Sequence, residues 1–335
     1  MHHVQQRGGG LHTVIVILGR LGLVIVVFAL FEGIARLVPE PDGFQTRVRR
    51  FSARMITEDE RLGHRLVPSR EVNVGGIEYR TSSLGTRGGD PTPEAESSSR
   101  TRRILVLGDS VAMGWGVEER DSYPSRLETL LKGDGHEIEV INASVLAYGT
   151  REQADWLEEI GPRTGPEIVL LGYFPNDPES HESATRLPGP TWLRLWRLAA
   201  PHLLGLAVRL GIRPTPEEYY RQLHSRDGPD WPRAATALGR IGAWCQKHGA
   251  HCGLQLLPDL TSLPFALDDI HAQVAREGRH HGMKVLDLAP LLKEFEGDPS
   301  ALWAAPDDPH PNADVHARYA AATHRWLTET GWLTP

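Results

Sequence analysis

The 335-residue chain is poor in cysteine and lysine: Cys245 and Cys252 are its only thiols, and Lys makes up four of its 36 basic residues. Two cysteines exclude a disulfide scaffold and a Cys-rich metal site. They still allow one bridge, since Cys245 closes a predicted helix and Cys252 opens a predicted strand, and two buried free thiols fit equally well. Only one long apolar run occurs, which excludes a polytopic membrane protein. With 40% hydrophobic and 24% charged residues, collagen, coiled coil and wholesale disorder are excluded as well. Basic clusters are missing where the chain is longest: residues 101–335 hold 23 Lys/Arg against 32 Asp/Glu. Nucleic acid is therefore not an expected partner.

The one apolar run is VIVILGRLGLVIVVFALF, from Val14 to Phe31. As a helix of 18 residues it spans roughly 27 Å, close to the ~30 Å hydrocarbon core of a bilayer. Arg20 lies near its amino-terminal end, where it can reach the headgroups. The following EGIARLVPE offers no small-x-small cleavage site, so the run reads as an uncleaved anchor rather than a signal peptide. The division expected is an anchor at 1–35, a lead-in segment and linker at 36–102, and the main domain at 103–335 carrying an insertion at 178–231. Within the lead-in, EVNVGGIEYRTSS alternates well enough for a hairpin around Gly75-Gly76, and 88–103 reads as linker.

Beyond residue 102, short apolar runs alternate with helical periods. Strands are predicted at Ile104–Leu107, Ile138–Ile141, Ile168–Tyr173, Gly253–Leu257 and Lys284–Leu288, with amphipathic helices near 122–133, 151–160, 233–248, 267–281 and 313–329. This pattern predicts an α/β fold with a parallel sheet covered on both faces, and places ligands at the carboxyl ends of its strands.

Four segments fall at those ends. Gly108-Asp109-Ser110 sits on the first strand-to-helix turn, where a serine hydroxyl is exposed near helix N–H groups, or where Asp and Ser simply cap the helix. Position 112 is Ala, so the segment is not a GxSxG elbow. After the second strand, NASVLAYGT offers backbone N–H groups around Ala147, and a tight connection reads equally well. After the third, Asn176 and Asp177 leave through a Pro-rich turn: an amide donor suits an oxyanion, and an Asx turn is the plainer reading. Near the carboxyl terminus, DDPHPN places Asp307 three residues before His310, a spacing that on a Pro-bounded turn lets a carboxylate orient an imidazole, with Asp308 as competitor. His316 and His324 read as helix-surface residues, and His310 with His316 lacks a third metal ligand. The Leu/Trp-rich TWLRLWRLAAPHLLGLAVRLG reads as a helix packed on the core, with a lid or membrane-facing helix as the alternative.

Taken in order, GDS at 108–110, NASVLAYGT at 142–150, GYFPND at 172–177 and DDPH at 307–310 resemble the SGNH (GDSL-type) hydrolases over residues 104–330. The likeness extends upstream, through FEGIAR and TSSLGTRG, to bacterial members with one amino-terminal anchor. It implies a three-layer flavodoxin-like parallel sheet behind a transmembrane helix, and a catalytic domain outside the cytoplasm, periplasmic or at the cell surface. By position it implies Ser110 as nucleophile, His310 as general base and Asp307 as its orienting carboxylate, with no metal or cofactor. The oxyanion donors would be the Ser110 N–H, the Asn176 side chain and the N–H of Ala147, which stands where the family has glycine. A backbone N–H survives that exchange, while the φ/ψ of a glycine is not freely open to alanine. The substrate implied is an ester on a small molecule, a glycan or a lipid; an O-acetyltransferase of envelope polysaccharide uses the same residues.

Overall fold

A computed structural model describes residues 8–39, 42–92, 101–179, 190, 192–261, 263, 265–293 and 295–333. The chain forms two compact units: 1–41 with 186–215, and 42–185 with 216–335. The first unit holds the apolar helix α1 (Gly8–Leu37) and, from the insertion, a helix numbered α6 in chain order (Arg194–Arg209). The stretch Thr13–Leu37 of α1 is long and apolar enough to cross a membrane.

The second unit opens with α2 (Phe44–Met55) and two hairpins, β1 (Ile56–Asp59) with β2 (Gly63–Leu66) and β3 (Glu71–Val74) with β4 (Ile77–Arg80), the latter turning at Gly75-Gly76 as the alternation predicted. There follow β5 (Arg102–Gly108), α3 (Ser110–Met113), α4 (Tyr123–Gly133), β6 (Ile138–Asn142), α5 (Thr150–Thr164) and β7 (Ile168–Tyr173). Beyond the insertion come α7 (Pro216–Leu223), α8 (Asp230–His248), β8 (His251–Leu256), α9 (Asp268–His280), β9 (Lys284–Asp287), a short pair β10 (Trp303–Ala305) and β11 (Asp308–Pro311), and α10 (Ala313–Thr330).

Five strands form one parallel sheet in the order β6-β5-β7-β8-β9. The chain steps from β5 to one side and then returns across it, the flavodoxin-like order, so a crevice opens at the carboxyl ends of β5 and β7. Side chains alternate between the two faces of a strand. Leu105, Leu107, Val169 and Leu171 accordingly pack with Trp156, Leu157, Leu238 and Ile241 of α5 and α8. Ile104, Val106, Ile168 and Leu170 pack with Leu127 and Leu131 of α4 and Tyr319 of α10. Burial on both faces is why these strands read as unbroken apolar runs.

Two expectations about organisation change. The lead-in does not stand apart from the catalytic domain: Phe51, Met55, Leu62, Leu66, Val74 and Tyr79 are buried in the same core as Leu105 and Leu107. Its amphipathic helix and hairpins had too few apolar residues to announce a core alone, because they borrow the sheet's. The Leu/Trp helix of the insertion groups with α1 in the first unit, not with the sheet's unit, while 216–231 belongs to the second unit and joins its core through Tyr220 and Trp231. The linker expected at 88–103 lies partly outside the described residues, and Arg102 and Arg103 already belong to β5.

Candidate active site

Gly108 ends β5 opposite Gly172 of β7. A Cβ on Gly108 would stand 2.4 Å from the Ala112 Cβ and 2.9 Å from the Gly172 carbonyl oxygen, so only glycine lets the turn fold this tightly. Asp109 caps α3, its Oδ1 accepting the Val111 N–H at 2.9 Å. Ser110 is therefore the first residue of a helix, where its own N–H has no intrahelical acceptor. Its hydroxyl is 2.9 Å from His310 Nε2, and His310 Nδ1 is 2.6 Å from Asp308 Oδ1.

The carboxylate that meets His310 is thus Asp308, not the expected Asp307. The segment is a strand rather than a loose turn: Asp308 and His310 are residues i and i+2 of β11 and share a face, which puts Asp307 out of phase. The Asp308 side chain is 1% exposed and that of Asp307 is 49% exposed. Asp307 instead accepts the Phe44 N–H at 2.6 Å, at the start of α2, and an Arg47 N–H at 3.0 Å.

Asp308 is held ionised by its surroundings. Burial alone would raise its pKa, but the hydrogen bond and charge of His310, with the Trp115 Nε1–H at 2.8 Å, bring it below the ordinary aspartate value. An Arg47 N–H also approaches Asp308 Oδ2, at 3.4 Å. A carboxylate on Nδ1 keeps the proton there and leaves Nε2 as the acceptor facing Ser110. Phe44 and Trp115 border the imidazole, with ring centroids 5.5 and 6.3 Å from it.

The three expected oxyanion donors occupy the strand ends around this crevice. Ala147 has φ +62°, in the left-handed region that an alanine enters only at a cost. The loop is gripped from the lead-in: His64 Nε2 donates to the Leu146 carbonyl at 2.8 Å, and the Tyr148 hydroxyl donates to the His64 carbonyl at 2.7 Å. The question raised by alanine at this position is thereby answered, since neighbouring bonds hold the conformation that a glycine would take freely. Asn176 lies in the turn after β7, half-buried, and its backbone carbonyl accepts the Glu179 N–H at 2.8 Å.

Two buried carboxylates flank these residues. Burial pushes Asp109 upward, and burial together with the Asp109 charge pushes Asp177 well upward. Asp177 Oδ2 accepts from Gln153 Nε2 at 3.1 Å, and its Oδ1 is buried with no partner among the described residues.

Sequence reasoning missed Arg87, although it lies within TSSLGTRG. It is buried, donates to the carbonyls of Met113, Gly114 and Val117 at and beyond the end of α3, and stacks 4.8 Å from the Tyr79 ring centre. A lone arginine in a polar stretch gives no sequence signal for such a clamp. His316 is likewise not a surface residue: it is fully buried, accepts the Tyr123 N–H at Nδ1 (3.3 Å), and burial lowers its pKa to about 3. His324 does lie near the surface, 2.8 Å from Asp134. Cys245 and Cys252 are buried free thiols, and Cys252 is pushed upward by its contact with Cys245 and by burial. Among the described residues no cluster of three or more His, Cys, Asp or Glu could hold a metal ion.

No protein-family model matches the chain. An arylesterase of Vibrio mimicus is 31% identical over 81 residues, which is 24% of this chain and 40% of that protein. The match therefore spans about two-fifths of the curated relative's length. Among solved structures, the acetylxylan esterase Axe2 of Geobacillus stearothermophilus aligns at 17% identity and a TM-score of 0.45 over 69% of this chain and 95% of its own. A member of the lipolytic protein G-D-S-L family from Veillonella parvula aligns at 12% identity and a TM-score of 0.42, over 68% and 98%.

Proposed function

We propose that this chain is a membrane-anchored serine ester hydrolase of the SGNH type. The observation that carries the reading is the continuous relay Ser110 Oγ–His310 Nε2 (2.9 Å) and His310 Nδ1–Asp308 Oδ1 (2.6 Å) at the carboxyl end of a parallel sheet. The partial match to an arylesterase supports an ester as the bond cleaved.

In this reading Ser110 Oγ attacks the ester carbonyl carbon while its proton passes to His310 Nε2. The oxyanion is met by the Ser110 N–H, the Asn176 amide and the Ala147 N–H, donors placed beforehand where charge develops. Collapse expels the alcohol, which takes the proton from His310. Water then attacks the acyl-serine with His310 again as base, releasing the acid and restoring Ser110. Asp308 fixes the tautomer throughout and stabilises the imidazolium. The acyl-bearing molecule is a small ester, a glycan or a lipid, and α1 holds the catalytic unit at the outer face of a membrane.

The test is a fluorophosphonate probe followed by turnover of a simple acetyl ester. Wild type is expected to label at Ser110 and to turn over, and Ser110→Ala to do neither while unfolding at an unchanged temperature. Full activity in Ser110→Ala overturns the assignment. Acetyl transfer to an added sugar in preference to water would move the reaction to the acetyltransferase class while keeping the same residues.

A further inference from the structure

The first unit contains a surface that the ester chemistry does not use. Helix α6 and its flanks, from Pro190 to Arg213, contain four arginines and no Asp or Glu. Ala199, Leu203, Leu206 and Leu210 follow one another at intervals of four, three and four residues, which lines them along one face of a helix. In a water-soluble protein that face would be covered. Here Leu203 and Leu206 are each 50% exposed and Leu210 is 63% exposed, with Trp192 and Ile212 bare at 70% and 72% beyond the two ends of the helix.

The adjoining face is already occupied. Ala200 of α6 and Ala35 of α1 are both buried, and Glu32 of α1 accepts the N–H groups of Arg194 and Leu195 at 2.9 and 3.0 Å, capping the start of α6. Arg194 also donates to the Val38 carbonyl at 2.9 Å. These contacts fasten α6 to one level of α1. The apolar run ends at Phe31, and Glu32 and Arg36 are the first charges after it, so this level is where a spanning helix leaves the hydrocarbon.

We infer that α6 is an interfacial helix, seated in the headgroup region of an anionic bilayer with the Leu203–Leu206–Leu210 face toward the acyl chains. Three features favour a lipid surface over a second copy of the chain. The patch continues an apolar helix long enough to span. It is bordered by the exposed Arg209 and Arg213, which complement anionic headgroups and would repel the same segment of another molecule. The stripe is also flanked by arginine and His202 rather than by the mixed charges of a protein contact. The inference rests on α1 spanning the membrane and is independent of the ester chemistry.

The experiment uses the full chain reconstituted into phosphatidylcholine vesicles with and without phosphatidylglycerol, carrying an environment-sensitive maleimide fluorophore on Leu206→Cys or, as a second site, Leu203→Cys. The two native thiols are buried, and wild type treated with the same reagent supplies the background. The expected result is quenching by lipids bearing a nitroxide high in the acyl chain, protection from aqueous iodide, and a stronger effect in anionic vesicles that Arg209→Glu with Arg213→Glu reduces at least severalfold. Full iodide quenching with no lipid quenching would show a water-facing helix and overturn the inference. Protection from both quenchers would show a protein cover, such as a second copy, and overturn it as well. An alkaline carbonate wash separates the two readings: a chain that washes off refutes the span and this inference with it, whereas a retained chain with a water-exposed label refutes only the latter.

Discussion

Arg47 of the lead-in helix reaches Asp308, the carboxylate that orients His310, at 3.4 Å, while donating to the neighbouring Asp307 at 3.0 Å. The segment between α1 and the parallel sheet thereby meets the Ser110–His310–Asp308 relay. Arg47 is mostly buried, and although burial alone would lower its pKa, Asp307 and Asp308 raise it above the usual arginine value. Arg47→Met should lower kcat roughly two- to tenfold with little change in KM, equivalent to about 0.4–1.4 kcal/mol in the barrier. Steady-state kinetics on an acetyl ester measures it; a change confined to KM would mean that Arg47 acts on substrate binding.

Arg87 gives the stability counterpart. Its removal takes away the donor to the Val117 carbonyl, while Met113 keeps the Asn142 amide at 3.2 Å and Gly114 keeps the Val117 N–H at 3.4 Å. Arg87→Met should cost roughly 1–3 kcal/mol in denaturant unfolding, the range for one buried group left unsatisfied. A loss within ~0.5 kcal/mol would show that water replaces the guanidinium at no expense.

Ala147 stores strain at φ +62°. Ala147→Gly relieves a left-handed alanine, worth about 1–2 kcal/mol, and offsets about 0.4–1 kcal/mol of that through a more flexible unfolded chain. The variant should be as stable as wild type or slightly more so, with activity kept. Ala147→Val should lose both. Thermal melts and ester turnover of the pair check this, and a valine variant of wild-type stability would refute the strain.

Two buried histidines set the acid limb of stability. Burial lowers His224 from 6.5 to about 4 and His316 from 6.5 to about 3. Because the folded pKa is depressed, each stabilises the fold fully above the unfolded value and loses that contribution as pH falls toward the folded one. Between pH 6.5 and about 4 each should steepen the decline by about 1.4 kcal/mol per pH unit. His224→Gln should flatten the profile in that window; parallel wild-type and variant profiles would contradict it.

How much of this was legible follows from where the information lies. The sheet was readable strand by strand, because β5 and β7 are buried on both faces and carry continuous apolar runs. Ser110, Ala147 and Asn176 could be placed because they follow β5, β6 and β7, whereas His310 lies within β11. The choice between Asp307 and Asp308 was not, since it depends on whether DPHP is a turn or a strand, and only the pairing of β11 with β10 decides that. The lead-in's attachment was hidden for a similar reason. Phe51, Tyr79 and Arg87 meet partners distant in sequence, and a short polar-looking segment does not reveal what will cover it. His316 looked like a surface residue because a single histidine on an alanine-rich helix does not disturb the amphipathic pattern.

The most direct test of the relay compares Asp308→Asn with Asp307→Asn in one ester assay. Asp308→Asn should lower kcat roughly a thousandfold or more by misorienting the imidazole and its tautomer. Asp307→Asn should stay within about tenfold of wild type, since Asp307 accepts from Phe44 and Arg47 of α2 and not from His310. The reverse ranking would contradict the assignment of Asp308 to His310.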